Sequence, residues 1–169
     1  RAGTPPTDTS LRQALELIRQ AERPLVLAGH GILLAEATEE FRQFVDTTGI
    51  PVAVTLLGIG ALPASHPSNL GMMGMHGEAW VNTAIQEADL LIALGMRFDD
   101  RVTGNLKTYA VNAKKIHVDI DPAEIGKNVP VDVGIASDLR DVLRAWQPSL
   151  GRLQLGGWYD RITELKGDS

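Results

Sequence analysis

Apolar positions along the chain recur with two different periods, and the alternation between them outlines the fold. In "SLRQALELIRQAE" (residues 10–22) Leu11, Ala14, Leu15 and Ile18 are spaced by three and four, which predicts an amphipathic helix with Ser10 as its N-cap. After Pro24, "LVLAG" is a short continuous apolar run that predicts a first buried strand. "AEATEEFRQFVDTTG" (35–49) predicts a second helix, with Phe41, Phe44 and Val45 on one face and Gly49 closing it. "IPVAVT" predicts a second strand, and "LLGIGALPASHPSNLGMMGMHG" (56–77) reads as a long loop rich in glycine, proline and methionine. "EAWVNTAIQEA" predicts a helix, "DLLIALG" a third strand and "KKIHVDID" a fourth. A short helix is expected near Pro122, a fifth strand in "VDVGIA", and a helix in "SDLRDVLRAW" capped by Ser137 or Asp138. The tail "GGWYDRITELKGDS" reads as one more helix.

The strands are apolar throughout rather than alternating, and they are interleaved with helices. That pattern specifies a parallel sheet buried on both faces. The expected fold class is α/β: a Rossmann-like, doubly wound parallel sheet of five to six strands with helices on both faces. Domain boundaries follow from composition. Residues 1–22 are expected to form a linker and first helix, 23–150 the sheet domain, and 151–169 a C-terminal helix or linker leading to a further domain. The opening "RAGTPPTDTS" is Pro/Thr-rich and begins with Arg1, as in a segment excised from a longer protein.

Composition narrows the function. At 169 residues and 44% hydrophobic content, a sizeable core is affordable. A net charge of −5 without a Lys/Arg cluster argues against a nucleic-acid binder. The absence of cysteine removes thiolate chemistry and agrees with a reducing, cytoplasmic setting. No run reaches the ~18 apolar residues of a membrane span. The four histidines show no metal-ligand spacing.

Ligands of open parallel sheets bind beyond the carboxyl ends of the strands. Those ends carry Gly29-His30-Gly31, then Thr55-Leu56-Leu57-Gly58, then Gly95-Met96-Arg97-Phe98, then Asp119-Ile120-Asp121, and finally Ser137-Asp138-Leu139. A dinucleotide needs glycines that allow close approach, a cation for phosphate and carboxylates for ribose hydroxyls. The glycine pair of "GHGILL" lacks the third glycine of the usual fingerprint, and by itself also fits a tight strand-to-helix turn. "GMRFDDRVTG" (95–104) concentrates Arg97, Asp99, Asp100 and Arg101 at the mouth of an apolar strand. These four either pair with one another or hold a charged group. Met72, Met73 and Met75 fit either core packing or the cover of a flat ring system. Asp119 and Asp121 fit ribose contact, helix capping or acid–base chemistry.

Taken in order, "GMMGMHG", "ADLLIALGMRFDDRVTG" and "IHVDIDPAEIGKN" closely resemble the catalytic subunit of acetohydroxyacid synthase (acetolactate synthase), a thiamine-diphosphate enzyme family of branched-chain amino-acid biosynthesis. "RPLVLAGHG" and "GIPVAVTLLGIGALP" fit the same family, and the resemblance covers roughly residues 20 to 146. It implies the central, FAD-binding domain of a three-domain subunit that condenses two 2-oxoacids such as pyruvate with decarboxylation. In the family the flavin takes no net redox part, and thiamine diphosphate and Mg²⁺ are bound between subunits by the first and third domains, which the resemblance implies are the missing partners of this chain. By motif, the flavin contacts would be Gly29, His30, Gly31, Thr55, Leu56, Leu57, Met73, Gly74, Met75, His76, Gly95, Arg97, Asp99 and Arg101. Asp119, Ile120, Asp138 and Leu139 would face the adenosine end. Met75, Asp100 and Arg101 match positions near the family's substrate channel, where herbicides bind.

The sequence departs from the family in two places: His30 stands where glycine is common, and Ser137-Asp138-Leu139 where Gly-Asp-Val is usual. Neither the catalytic glutamate of the first domain nor the Gly-Asp-Gly…Asn metal motif of the third is present, so no catalytic residue is assigned and the chain is expected to be inactive by itself. Two other classes compete: an architectural or interaction domain that binds ADP or no cofactor, and a self-contained NAD- or FAD-dependent oxidoreductase. Exposure of faces that other domains would cover predicts self-association. Light scattering at rising concentration should show it, and a clean monomer would contradict it.

Overall fold

The computed structural model describes residues 4–75, 77–98 and 109–167. Helix α1 (Asp8–Gln20) is capped by Thr7, whose hydroxyl oxygen accepts from the Ser10 amide at 3.2 Å. Ser10, expected as the cap, lies inside the first turn. Strand β1 (Pro24–Ala28) follows, with all five residues buried. The helix expected over 35–49 is α3 (Thr38–Thr48), and a short helix that was not expected, α2 (Gly31–Leu34), precedes it. The break falls at Glu36, in the left-handed region at φ 54°. Gly49, at φ 77°, ends α3 as expected.

Strand β2 (Val52–Val54) leads into a 3₁₀ turn (Leu56–Gly58). The stretch read as one long loop contains a further strand, β3 (Asn69–Met72). Helix α4 (Ala79–Glu87), strand β4 (Leu90–Leu94), strand β5 (Lys114–Asp119) and strand β6 (Val133–Ala136) come next. The helix expected near Pro122 is a 3₁₀ turn (Pro122–Glu124). Helix α5 (Leu139–Trp146) takes Asp138 as its cap, while the Ser137 hydroxyl donates to the Thr4 carbonyl at 2.6 Å. Helix α6 (Gly156–Gly167) closes the described chain.

The six strands form one sheet in the order β3-β2-β1-β4-β5-β6, and every pairing is parallel. This is the doubly wound arrangement expected. The central strands carry the core: Leu25, Val26, Leu27, Leu91, Ile92 and Ala93 have no exposed surface. Full burial of one such Leu or Val stabilises by about 1.5–3 kcal/mol. Helices α1, α2, α3 and α5 pack as one group and α4 and α6 as another. Helix α6 is tied to the sheet by the Trp158 indole N–H, which donates to the Pro24 carbonyl at 2.8 Å. Its Arg161 forks onto Glu87 with two contacts of 2.7 Å. Among the described residues no helix is long and apolar enough to cross a membrane.

Between β1 and β4 the strand order reverses, because the chain runs outward through β2 and β3 and then returns to the other side of β1. Two turns meet there. The Gly29 amide donates to the Leu94 carbonyl at 3.1 Å and the Gly31 amide to the Gly95 carbonyl at 2.8 Å. A Cβ on Gly31 would lie 2.6 Å from the Gly95 Cα, a distance side chains do not tolerate. Gly31→Ala should therefore destabilise the fold by about 1–3 kcal/mol, the usual cost of overpacking. Urea denaturation measures this, and an unchanged midpoint would contradict the packing argument.

Candidate functional site

All six strands point their carboxyl ends to one edge of the sheet, where a cleft of about 860 Å³ opens over the reversal point. Its size is in the range of small-molecule and cofactor sites. From β1 it is lined by His30 and Gly31, and from β2 by Thr55, Leu56 and Leu57. The loop after β3 contributes Met73 and Met75, and the end of β4 contributes Gly95 and Arg97. Asp119 and Ile120 come from β5, and Asp138 and Leu139 from the start of α5. The structure thus brings thirteen of the eighteen predicted contact residues to one cleft. Gly29 and Gly74 do not line it. His76, Asp99 and Arg101, together with Asp100, lie outside the described residues.

Each non-lining glycine has a local explanation. A Cβ at Gly29 would overlap the Gly95 carbonyl, so this position serves close packing of the two turns. Gly74 adopts φ 97°, and its amide and carbonyl are both held by the Asn82 side chain, at 2.9 and 3.0 Å. That reciprocal pair fastens the Met73–Met75 turn to α4. Arg42 does similar work for the loop after β2, donating to the Gly60 carbonyl at 3.1 Å and the Ala61 carbonyl at 3.2 Å. Neither Asn82 nor Arg42 could be picked from the sequence, because each is an ordinary polar residue on a helix whose partner is distant backbone.

The cleft is also lined by Met72, Met96 and Asp121, noted in the sequence but not assigned as contacts, and by Leu34, Ala35, Val118 and Glu124, which strand-end reasoning did not select. Glu124 bears on the charge cluster. The Arg97 Nε lies 3.7 Å from a Glu124 oxygen, and its side chain stays 71% exposed. Lys127 approaches the other Glu124 oxygen at 3.6 Å. An exposed pair of this kind contributes little stability. Among the described lining residues Arg97 carries the one permanent positive charge, against the carboxylates of Asp119, Asp121, Glu124 and Asp138.

One buried polar atom at the cleft lacks a partner among the described residues, and one carboxylate bears a burial penalty. The His30 Nδ1 is buried and has no hydrogen-bond partner among the described residues. Burial, the largest influence, pushes the Asp119 carboxyl above the usual range, although the Asp121 amide donates to it at 2.9 Å. Thr55 is already engaged, since its Oγ1 accepts from the Gly58 amide at 3.2 Å. The lining therefore offers acceptors and one cation, and no nucleophile hydrogen-bonded to a base among the described residues.

The geometry agrees with what comparison with known proteins shows. Residues 11–146 match the family model described as "Thiamine pyrophosphate enzyme, central domain". The chain is 47% identical over 159 residues, 92% of its length, to a probable acetolactate synthase large subunit of Methanocaldococcus jannaschii. It is 46% identical over 98% of its length to an acetolactate synthase of Mycobacterium bovis, and 44% identical over 98% to "Acetolactate synthase 1, chloroplastic" of Zea mays. The chain belongs to the acetolactate synthase family, as its central domain. It spans 27%, 28% and 27% of the length of these three relatives. The acetolactate synthase resemblance read from "GMHG", "RFDDRVTG" and "DIDPAEIGKN" is thereby established.

Beneath this family's cleft sits a buried histidine. His117 of β5 has no exposed surface, and its Nε2 lies 2.8 Å from the Met96 carbonyl. Burial, the first cause, holds its pKa below the ordinary value, against opposing pulls from the Met96 carbonyl and the carboxylates of Asp119 and Glu124. A histidine with a depressed folded pKa contributes its full stability above the unfolded value of about 6.5. That contribution is lost as the pH falls from there through the folded value. The protein should lose more stability between neutral pH and pH 5 than its His117→Gln variant. Urea melts at several pH values check this, and parallel curves for the two proteins would contradict it.

Proposed function

We propose that this chain is the FAD-binding central domain of an acetolactate synthase, catalytically silent by itself. In the full-length subunit, thiamine-diphosphate domains on either side would condense two 2-oxoacids, such as pyruvate, with decarboxylation. The observation that carries the FAD reading is the composition of the cleft at the strand reversal among the described residues: one exposed arginine, a buried imidazole nitrogen with no partner among them, a set of strand-end carboxylates, and an apolar wall. Arg97 would hold the phosphates, exchanging Glu124 for them, and His30 Nδ1 would find its missing partner on the ligand. Asp119 and Asp138 would accept from hydroxyls of the adenosine portion, beside Ile120 and Leu139. Leu56, Leu57, Met73 and Met75 would cover the flat ring, with Gly31, Thr55 and Gly95 allowing close approach. His76, Asp99 and Arg101 are proposed as further contacts on motif alone. When bound, the flavin would supply a flat ring and a pyrophosphate for these residues to hold.

The apolar rim supports the same picture. Leu34, Leu56, Leu57 and Met75 are each at least 60% exposed, and Ile59 and Ile120 lie 57% and 42% exposed beside them. Bound cofactor and the proposed neighbouring domains would remove that surface from water. The proposed division of the chain keeps 23–150 as the cofactor domain and 151–169 as the segment leading to the next one.

Gel filtration of the protein mixed with FAD should give co-elution of flavin absorbance, with ADP competing and FMN failing. Arg97→Ala should weaken binding by about tenfold or more, from the ~1.5–3 kcal/mol of a hydrogen bond to a charged group. Absence of co-elution would favour the architectural reading, and unchanged affinity in the variant would remove Arg97 from the phosphate site.

A further inference from the structure

The chain around Arg97 is gripped from one side in a way the fold does not require. The Gly95 amide donates to the Val118 carbonyl at 2.9 Å, continuing the β4–β5 ladder. Beyond it the ladder ends, and two side chains take over. His117 Nε2 lies 2.8 Å from the Met96 carbonyl, and Asn128 Nδ2 donates to the Phe98 carbonyl at 2.7 Å. The two carbonyls flanking Arg97 are thus each held by a side chain from β5 or the loop after it. The rings of Phe98 and His117 meet edge to face at 5.2 Å, and Tyr109 meets Phe98 at 6.0 Å.

The partner fixes the chemistry of His117. A carbonyl only accepts, so Nε2 carries the proton and the neutral ring leaves Nδ1 as an acceptor. That Nδ1 is buried with no partner among the described residues. A leucine or phenylalanine would fill this interior position without burying an unsatisfied nitrogen. The fold accepts that cost at the one place where the ring holds the backbone next to the cleft's permanent cation.

We propose that His117 and Asn128 are positioning residues for Arg97. They fix the Met96 carbonyl, in the peptide that enters Arg97, and the Phe98 carbonyl one residue beyond it, so that the guanidinium is presented to the cleft rather than swinging with a free loop. This rests on the cofactor reading above and assigns two residues that do not line the cleft to its phosphate affinity. Orientation held by neighbouring hydrogen bonds is the general way a binding side chain is pre-organised.

The test measures binding of ADP and of adenosine by calorimetry to the protein and to His117→Phe, His117→Gln, Asn128→Ala and Arg97→Gln, singly and with each of the first three placed on Arg97→Gln. His117→Phe and Asn128→Ala should weaken ADP binding severalfold to about tenfold, as loss of one oriented charged contact does. Adenosine affinity should not change. Neither substitution should weaken ADP further once Arg97 is Gln, and His117→Gln, which can still donate, should recover part of the loss. Equal weakening of ADP and adenosine, or the same loss on the Arg97→Gln background, would overturn the proposal in favour of a merely structural role. A nitrogen-15 spectrum of the histidine rings at neutral pH gives a ligand-free readout. A slowly exchanging Nε2 proton is expected for His117, and an Nδ1 tautomer or a charged ring would overturn it. A protein that binds ADP normally while the variants change nothing defeats this inference alone. One that binds neither ADP nor FAD defeats the cofactor reading, and this inference with it.

Discussion

The contact on which the rest of the structure depends is between two backbones. At the strand reversal the Gly29–Gly31 turn after β1 lies directly on the Gly95 turn after β4, joined by amide-to-carbonyl bonds of 3.1 and 2.8 Å. Gly95 sits at φ 63°, and a Cβ on it would come within 2.6 Å of the Gly31 Cα. With no side chain between the turns, neighbouring strands stay in register to their very ends, and everything that follows them is delivered to one edge. Gly58 belongs to the same arrangement, since a Cβ there would overlap the Ala28 carbonyl. These glycines do not form an open amide cradle. Their donors at 29 and 31 are already engaged, so a ligand would meet glycine there chiefly as bare surface.

Delivery to an edge does not place a side chain. The loops beyond the strands are long, and long loops do not hold a geometry without anchors. The anchors are polar side chains from the framework that reach the loop backbone: Arg42 on Gly60 and Ala61, Asn82 on Gly74, Asn128 on Phe98. Each satisfies carbonyls that would otherwise lack partners near the cleft rim. Lys115 acts in the same sense where the chain re-enters the sheet, its buried Nζ donating to the Ala110 and Ala113 carbonyls at 2.8 and 3.0 Å. The site is thus a set of loops tied down one by one.

What could be read in the sequence follows this division. The continuous apolar runs at 24–28, 52–54 and 90–94 announce buried parallel strands because both faces are covered, Ile116 and Val118 mark β5 less plainly, and position along the chain then gives the residues at the strand ends. Strand β3 escaped notice for the opposite reason. It is an edge strand, half-buried at every position, with Gly71 at φ 110° and a register shift in its pairing to β2. Such a strand has neither an apolar run nor an alternation to reveal it. The short helix α2 and the start of α3 at Thr38 rather than Ala35 were hidden too, since the turn between them falls on Glu36, a residue with no turn preference of its own. Glu124 was passed over because its relevance comes from proximity to Arg97, which is 27 positions away in sequence only by numbering and 3.7 Å in space.

The charge distribution gives the cleft a direction. Four carboxylates gather on the β5, β6 and α5 side, while the described cation, Arg97, stands on the β4 side. A phosphate placed among Asp119, Asp121, Glu124 and Asp138 would be repelled, whereas sugar hydroxyls would find acceptors there. Burial already disfavours the charge on Asp119, so a hydroxyl donating to that carboxylate would relieve part of a standing penalty. On the other side the Arg97–Glu124 pair is long and its guanidinium exposed, and a phosphate that binds Arg97 closely would form the stronger contact. A ligand that matches both halves would carry its anionic group on the β4 side and hydroxyls toward β6. That polarity is set by the protein before any ligand arrives, and it supports a dinucleotide lying along the strand ends in one orientation.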